Sequence, residues 1–254
     1  MNLGMVHSWA EEAGEIALAY FNVVEARVKA DRSVVTAADE EIEALLRRRI
    51  ATAFPEHGII GEEQGRAPGA AEYLWAIDPI DGTSGFVQGL PIWGISIGLL
   101  RDGEPILGCF YMPLVREWYE VDLDGPATFN GKPMAVASDG SIDGETWICV
   151  PSNSHRRYAI DFPGKTRSLG SMAAYLCYVA RGTAMGALLG RPAIWDIAAG
   201  LAILRRAGGD VRLLGSGEQL DVGGMLTGRP PREPLIAGSP AALQLLQERV
   251  RRRG

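Results

Sequence analysis

Hydrophobic residues at the start of the chain follow the spacing of two amphipathic helices. Over residues 8–28, apolar side chains recur at intervals of about three or four residues, which places them on one helical face. The segment Thr36-Ala37-Ala38-Asp39 has the form of a helix-capping sequence with Asp in place of the usual Glu. We therefore predict a second helix from this segment to just before Pro55.

The middle of the chain alternates between apolar runs and turn residues, which is typical of strands. Short strands are predicted at Ile59-Ile60 and at 73–77, with the second ending at Asp78. Glycine, alanine and proline in residues 64–71 indicate a loop between them. Three longer runs, at 92–100, 106–112 and 117–121, are joined by turn signals and predict an antiparallel sheet.

The second half of the chain mixes strands and helices. Strands are predicted at 146–150, 184–189, 211–214 and 235–237, and helices at 171–181, at 195–207 and from Pro240. This alternation predicts layered sheets covered by helices. We expect an N-terminal α+β half over residues 1–140 and a C-terminal α/β half over residues 141–254.

The composition narrows the class of protein. The 254 residues are 47% hydrophobic and 22% charged, as in an ordinary globular protein, and the net charge of -6 argues against a surface that binds nucleic acid. Three widely spaced cysteines predict no disulfide framework, and no apolar stretch has the length of a membrane span. We expect a cytoplasmic protein with a solvated helix end at its arginine-rich tail. Three scattered histidines argue against a histidine metal centre or a serine triad.

Carboxylate side chains at the predicted ends of strands and helices are the candidate functional groups. An apolar strand delivers Asp78, and Asp81 three residues later can return to the same side, so the pair suits a hard cation. Gly82-Thr83 follows at a turn whose amides suit a phosphate. Turn and cap roles remain the alternative for acids in these positions.

Two further acidic positions strengthen the metal hypothesis. Glu62 follows an earlier predicted strand, and Asp196 begins a predicted helix, both within apolar sequence. Burial of an unpaired carboxylate costs several kcal/mol, which a shared cation would offset. Taken singly, Asp196 is also explained as a helix cap and Glu62 as a surface acid.

Together these segments resemble the inositol monophosphatase family of magnesium-dependent, lithium-sensitive phosphatases. The matching segments are Thr36-Ala37-Ala38-Asp39, Gly61-Glu62-Glu63, Asp78-Pro79-Ile80-Asp81-Gly82-Thr83, Phe129-Asn130-Gly131 and Trp195-Asp196-Ile197-Ala198-Ala199-Gly200. The resemblance implies the sugar-phosphatase fold shared with fructose-1,6-bisphosphatases, a sandwich of alternating αβαβα layers. It also implies a phosphoric monoester hydrolase that acts on a small phosphorylated metabolite, and a homodimer.

The resemblance implies a set of metal ligands. Glu62, Asp78 and the backbone carbonyl of Ile80 would hold one Mg²⁺. Asp78, Asp81 and Asp196 would hold a second, and Glu62 also suits a third, water-bearing position. Mn²⁺ is the expected substitute.

The resemblance also implies catalytic roles. Thr83 with Glu62 would orient the attacking water, and the amides of Gly82 and Thr83 would hold phosphate oxygens. Asp39 resembles the acid that supports Thr83, and Lys29 is related to a basic residue near the phosphate. Paired metals held by carboxylates can activate water and neutralise the phosphoryl oxygens without a protein nucleophile.

One position departs from the inositol-specific pattern. Leu189 stands seven residues before Asp196, where an acid contacts a substrate hydroxyl in those relatives, and leucine cannot accept a hydrogen bond. Gly89-Leu90-Pro91-Ile92-Trp93-Gly94 is instead similar to histidinol-phosphate phosphatases. A 3′-phosphoadenosine 5′-phosphate phosphatase and a fructose-1,6-bisphosphatase are the other enzyme alternatives. A catalytically idle, protein-binding relative is the alternative from another class.

Overall fold

The computed structural model describes residues 3–28, 34–66, 71–137 and 142–253. Within those ranges the chain forms eight helices: α1 (Leu3–Tyr20), α2 (Ala37–Ala53), α3 (Thr83–Val87), α4 (Ser154–Arg157), α5 (Met172–Ala180), α6 (Ile194–Arg206), α7 (Val222–Leu226) and α8 (Pro240–Arg249). The five long helices were predicted from hydrophobic spacing and caps. No helix in the described ranges combines the length and the apolar character needed to cross a bilayer.

Strands of the described chain form four sheets. The first ten strands are β1 (Arg27–Val28), β2 (Val34–Val35), β3 (Gly58–Gly61), β4 (Gly65–Arg66), β5 (Tyr73–Asp81), β6 (Gly94–Arg101), β7 (Glu104–Met112), β8 (Glu117–Val121), β9 (Thr128–Phe129) and β10 (Lys132–Pro133). The others are β11 (Trp147–Cys149), β12 (Tyr158–Ile160), β13 (Lys165–Arg167), β14 (Gly186–Gly190), β15 (Asp210–Leu213), β16 (Leu235–Gly238) and β17 (Val250–Arg252).

Two sheets carry the architecture. The larger has eight strands in the order β10-β9-β8-β7-β6-β5-β3-β4, and the smaller has five in the order β13-β11-β14-β16-β15. Strands β6 to β8 are antiparallel neighbours, as predicted, and β5 adds to them antiparallel to β6, whereas β3 runs parallel to β5. All strands of the large sheet lie within residues 58–133 and all strands of the small sheet within 147–238. The division into halves at residue 140 stays a prediction.

Helices and sheets stack as alternating αβαβα layers, which confirms the predicted fold class. Helices α1 and α2 cover the outer face of the large sheet, α5 and α6 lie between the two sheets, and α8 covers the far face of the small sheet. Three buried hydrophobic clusters fill the spaces between these layers. Burial of this apolar area is the main favourable contribution to folding.

Two glycines bring α6 close to the large sheet. Gly98 on β6 and Gly108 on β7 are cross-strand partners. A Cβ on Gly98 would lie 2.7 Å from the backbone nitrogen of Ala199, and one on Gly108 would lie 2.4 Å from the Ala199 carbonyl oxygen. Any side chain at either position would therefore push α6 outward, and with it Asp196 in the first turn of that helix.

Four local predictions were wrong. The first helix, predicted over residues 8–28, spans Leu3–Tyr20, and Arg27–Val28 form β1 instead. The strand predicted to end at Asp78 continues to Asp81, with a register shift against β6 between these two residues. Part of the loop predicted at 64–71 is β4, which pairs with β3, and residues 67–70 lie outside the described ranges. The arginine-rich tail forms β17, which pairs with β12 instead of ending as a solvated helix. Each difference depends on backbone pairing with another strand, which hydrophobic periodicity within one segment does not encode.

Candidate active site

The end of β5 delivers two buried carboxylates. Strand β5 is buried from Leu74 onward, and Asp78 and Asp81 are only 2% and 4% exposed. One oxygen of Asp78 accepts a hydrogen bond of 3.1 Å from the Ile80 amide. The irregular register between the two acids re-aims the strand at this point, as bulges beside active sites commonly do. The spacing of the two acids at one strand end, inferred from sequence, is therefore present in the fold.

Asp81 is held by the start of helix α5. Its carboxylate accepts hydrogen bonds from the Ser171 hydroxyl, from the Met172 amide at 3.2 Å and from the Ala173 amide at 2.8 Å. The Ser171 oxygen in turn caps the helix by accepting from the Ala174 amide at 3.1 Å. The predicted helix at 171–181 begins at Ser171, but the sequence gives no indication of the bond to Asp81, because no local pattern links residues 90 positions apart.

Asp196 comes to the same region from the opposite half of the chain. It lies in the first turn of α6, is partly exposed, and accepts a hydrogen bond of 2.7 Å from the Ala193 amide. The cap role weighed for this acid is thus real. Glu62 follows β3 directly and is also partly exposed. Strand β3 is the parallel neighbour of β5, so the ends of both strands lie on one edge of the sheet.

The charges of these acids act on one another. Burial raises the pKa of Asp78 well above the usual range, and neighbouring negative charges raise it further, those of Glu62, Asp81, Asp196 and Asp39. Burial also raises the pKa of Asp196, as does the charge of Asp81. Burial raises the pKa of Asp81 to about 6, against the opposing hydrogen bond from Ser171. Carboxylates crowded in this way favour either protonation or a shared cation.

The carboxylates are near neighbours without forming a closed cage. Among the described residues, no three His, Cys, Asp or Glu side chains converge tightly enough to make a ready metal centre. Backbone amides at the starts of α5 and α6 instead bind oxygens of Asp81 and Asp196. The donor set itself, hard oxygen ligands with excess negative charge, fits Mg²⁺ or Mn²⁺.

Asp39 and Thr83 form a second group beside the carboxylate cluster, which consists of Glu62, Asp78, Asp81 and Asp196. Both oxygens of Asp39 are used: one accepts from the Thr36 amide and hydroxyl, and the other lies 3.2 Å from the Thr83 hydroxyl. That hydroxyl also lies 2.9 Å from the Ile80 carbonyl oxygen. Gly82 precedes Thr83 with a φ of 101°, a left-handed conformation that suits glycine, and the following residues open α3.

The acidic corner at residues 61–65 is bound to α2 by an ion pair, Glu43 with Arg47, that sequence analysis missed. Glu43 is fully buried and accepts hydrogen bonds from the amides of Glu63 and Gln64 at 2.7 and 2.9 Å. Arg47 pairs with Glu43 at 2.8 Å and donates to the Gly65 carbonyl at 2.5 Å. The available signal was the spacing of Asp39, Glu43 and Arg47, four residues apart on one helical face.

Leu189 also lies at the edge of this site. It is 3% exposed on β14 and borders a cavity that Met172 lines from the start of α5. The absence of a hydrogen-bond acceptor at this position therefore concerns a space next to the carboxylates. Lys29, related by resemblance to a residue near the phosphate, lies outside the described residues.

Comparisons with known proteins identify the family to which this chain is similar. The profile described as Inositol monophosphatase family matches residues 4–250. A fructose-1,6-bisphosphatase/inositol-1-monophosphatase from Aquifex aeolicus is 34% identical over 197 residues, covering 74% of this chain and 75% of that protein. A histidinol-phosphatase from Chlorobaculum parvum is 33% identical over 214 residues, covering 79% of this chain and 81% of that protein.

Solved structures give the same result. An inositol monophosphatase from Anabaena superposes with a TM-score of 0.79 at 26% identity, covering 97% of this chain and 93% of that one. The layered sandwich is therefore the fold of the inositol monophosphatases and fructose-1,6-bisphosphatases. The family match and the relatives give the class of the protein, which is that of the phosphatases. This chain belongs to the inositol monophosphatase family.

Proposed function

We propose that this phosphatase hydrolyses a small phosphomonoester with Mg²⁺ held at the carboxylate cluster. The observation that carries the proposal is the position of two buried acids, Asp78 and Asp81, at the end of β5. Burial and the neighbouring acids raise the pKa of Asp78, which favours a bound cation. The ligands we assign are Glu62, Asp78, the Ile80 carbonyl, Asp81 and Asp196. When bound, the ions supply Lewis acidity, which neutralises charge on phosphoryl oxygens and lowers the pKa of water.

The geometry around Thr83 suits the orientation of a water molecule. A hydroxyl has one proton, and here that proton is directed to Asp39 at 3.2 Å or to the Ile80 carbonyl at 2.9 Å. The lone pairs of the Thr83 oxygen are then the acceptors for a hydrogen bond from water. A carbonyl oxygen has two lone pairs, so Ile80 can accept from Thr83 and still act as a ligand. Glu62 is the second group that we assign to orient this water.

The phosphate position that we propose lies at the turn into α3. The amides of Gly82 and Thr83 precede the first hydrogen-bonded turn of that helix, where amide groups lack partners within the helix. Two adjacent N–H donors at a glycine turn suit phosphoryl oxygens. Asp39 supports this group indirectly, through its contact with the Thr83 hydroxyl.

Several finer properties belong to the same proposal. Three free, buried cysteines are consistent with the proposed cytoplasmic location. A homodimer and inhibition by lithium are expected from family membership. The name of the Chlorobaculum relative supports histidinol phosphate as one substrate candidate beside inositol phosphates and fructose 1,6-bisphosphate.

Phosphate release from a panel of phosphomonoesters tests the proposal. We expect release with Mg²⁺, loss of release in excess chelator, and a loss of at least a hundredfold in Asp78→Asn. Titration calorimetry should show weaker Mg²⁺ binding in that variant. Asp102→Asn is the matched control, because Asp102 is exposed in a β-turn with a φ of 51° that asparagine also adopts. Full activity in excess chelator, or unchanged turnover of Asp78→Asn, would overturn the proposal.

A further inference from the structure

A cavity of about 280 Å³ lies beside the segments that open α5 and α6, whose amides bind Asp81 and Asp196. Its wall includes Met172, whose amide donates to Asp81, and Arg191, which precedes by two residues the Ala193 amide bonded to Asp196. The segments that hold two of the acids assigned to the metal site therefore border the cavity. A substrate with its phosphoryl group at the cluster has this space available for its leaving group.

The cavity wall is rigid on one side. The Tyr175 hydroxyl donates to the Val150 carbonyl at 2.9 Å and accepts from the amides of Leu169 and Gly170 at 3.0 and 3.2 Å. These bonds tie the segment before α5 to the end of β11. On this side the space is thus bounded by backbone that hydrogen bonds hold in place, and on the other side by the exposed Arg157 and Arg191.

The charge of this cavity is opposite to that of the neighbouring cluster. Arg157 and Arg191 both line it, and none of its described lining residues is acidic. Within the described part of the chain, neither guanidinium lies in an ion pair with a carboxylate. The Arg191 Nε donates to the Pro231 carbonyl at 2.6 Å, which fixes the side chain while its other N–H groups remain as donors.

We propose that Arg157 and Arg191 select phosphomonoesters that carry a second anionic group on the leaving-group side. A guanidinium presents a planar set of donors that matches a phosphate or a carboxylate. Leu189, in the same wall, provides no acceptor for a hydroxyl or an ammonium group. This inference rests on the proposed function. It predicts the highest kcat/KM for phosphomonoesters with a second anionic group, a lower value for neutral polyol phosphates, and the lowest for phosphates of amino alcohols.

Matched substrates test this order. We will compare kcat/KM for fructose 1,6-bisphosphate with fructose 6-phosphate, and for 3-phosphoglycerate with glycerol 3-phosphate, with phosphoethanolamine as the cationic member. The first pair tests a second phosphate and the second pair a carboxylate. We expect at least a tenfold preference for the anionic member of at least one pair, because hydrogen bonds to charged groups typically correspond to about tenfold to a hundredfold in binding.

Substitutions of Arg157 and Arg191 test whether these residues cause the preference for anionic substrates. Arg191→Gln and Arg157→Gln should raise KM for the preferred anionic substrate about tenfold and change the values for the neutral partner less than twofold. Arg191→Lys keeps the charge and should retain part of the preference. Arg156→Gln is the control, since Arg156 is an exposed neighbour on α4 that does not line the cavity. Thermal unfolding verifies that each variant is folded.

The outcomes separate this inference from the function on which it rests. No phosphate release from any substrate, p-nitrophenyl phosphate included, would defeat both. Magnesium-dependent release with no anionic preference, or with a preference for phosphoethanolamine, would defeat the selection alone. An equal loss on anionic and neutral substrates in both glutamine variants would also defeat it, because that result assigns the arginines a general structural role.

Discussion

Without divalent metal, the protein should become less stable as pH rises through the acidic range. Burial raises the pKa of Asp81 from 3.8 to about 6, so the folded state holds this proton more tightly than the unfolded state does. Unfolding then releases protons, and stability falls as pH rises from about 4 toward 7. The difference between the two pKa values corresponds to a loss of about 3 kcal/mol in unfolding free energy once the group is ionised in both states.

The part of this pH dependence that an unfolding experiment can measure lies between pH 5 and 8. Over that window Asp81 alone accounts for roughly 1 to 2 kcal/mol, because at pH 5 the unfolded carboxyl is already ionised. The raised pKa values of Asp78, Asp196 and Asp39 act in the same direction. His57, whose pKa is lowered by burial, acts in the opposite direction as pH falls below 6.5.

Urea unfolding in excess chelator measures this dependence. The quantity to follow is the difference in unfolding free energy between wild type and Asp81→Asn, since His57 contributes equally to both. The unfolding free energy of Asp81→Asn should increase relative to that of wild type as pH rises from 5 to 8. Saturating Mg²⁺ should reverse the wild-type trend, because its carboxylate ligands must be deprotonated. A difference that is independent of pH, or that shrinks as pH rises, would refute this account of Asp81.

Three further predictions concern the surroundings of the cluster. Glu43→Gln should weaken Mg²⁺ binding at least threefold, as measured by calorimetry, because it loosens the acidic corner at residues 61–65. Glu40→Gln, at an exposed position on the same helix, should leave binding unchanged. Equal affinity in the two variants would contradict a positioning role for Glu43. Gly108→Ala should cost about 1 to 3 kcal/mol by overpacking and lower kcat by displacing α6, with Gly144→Ala, where a Cβ meets nothing within 4 Å, as the control in urea unfolding. Leu189→Glu should shift kcat/KM toward inositol 1-phosphate by about tenfold or more, and wild-type kinetics with inositol 1-phosphate as the best substrate would count against that prediction.

Local sequence patterns determined most of the elements and the identities of the candidate ligands. Helical spacing, caps and turn residues act over a few positions, so α2, α5, α6 and the antiparallel run from β6 to β8 could be predicted without coordinates. Asp78 and Asp81 could be paired because both lie at the end of one strand. The joint motifs then gave the αβαβα layers through family resemblance.

Only the tertiary structure decided which distant groups share the site. Ser171 reaches Asp81 across 90 residues, and Glu43 reaches Gln64 across 21, through contacts that leave no periodic trace in the sequence. The raised pKa of Asp78 likewise comes from burial and from charges on other elements. Electrostatic and packing energies depend on distances in space, whereas hydrophobic periodicity encodes only each segment's own face. The sequence therefore specified the carboxylates, and the fold specified their neighbours and the cationic cavity beside them.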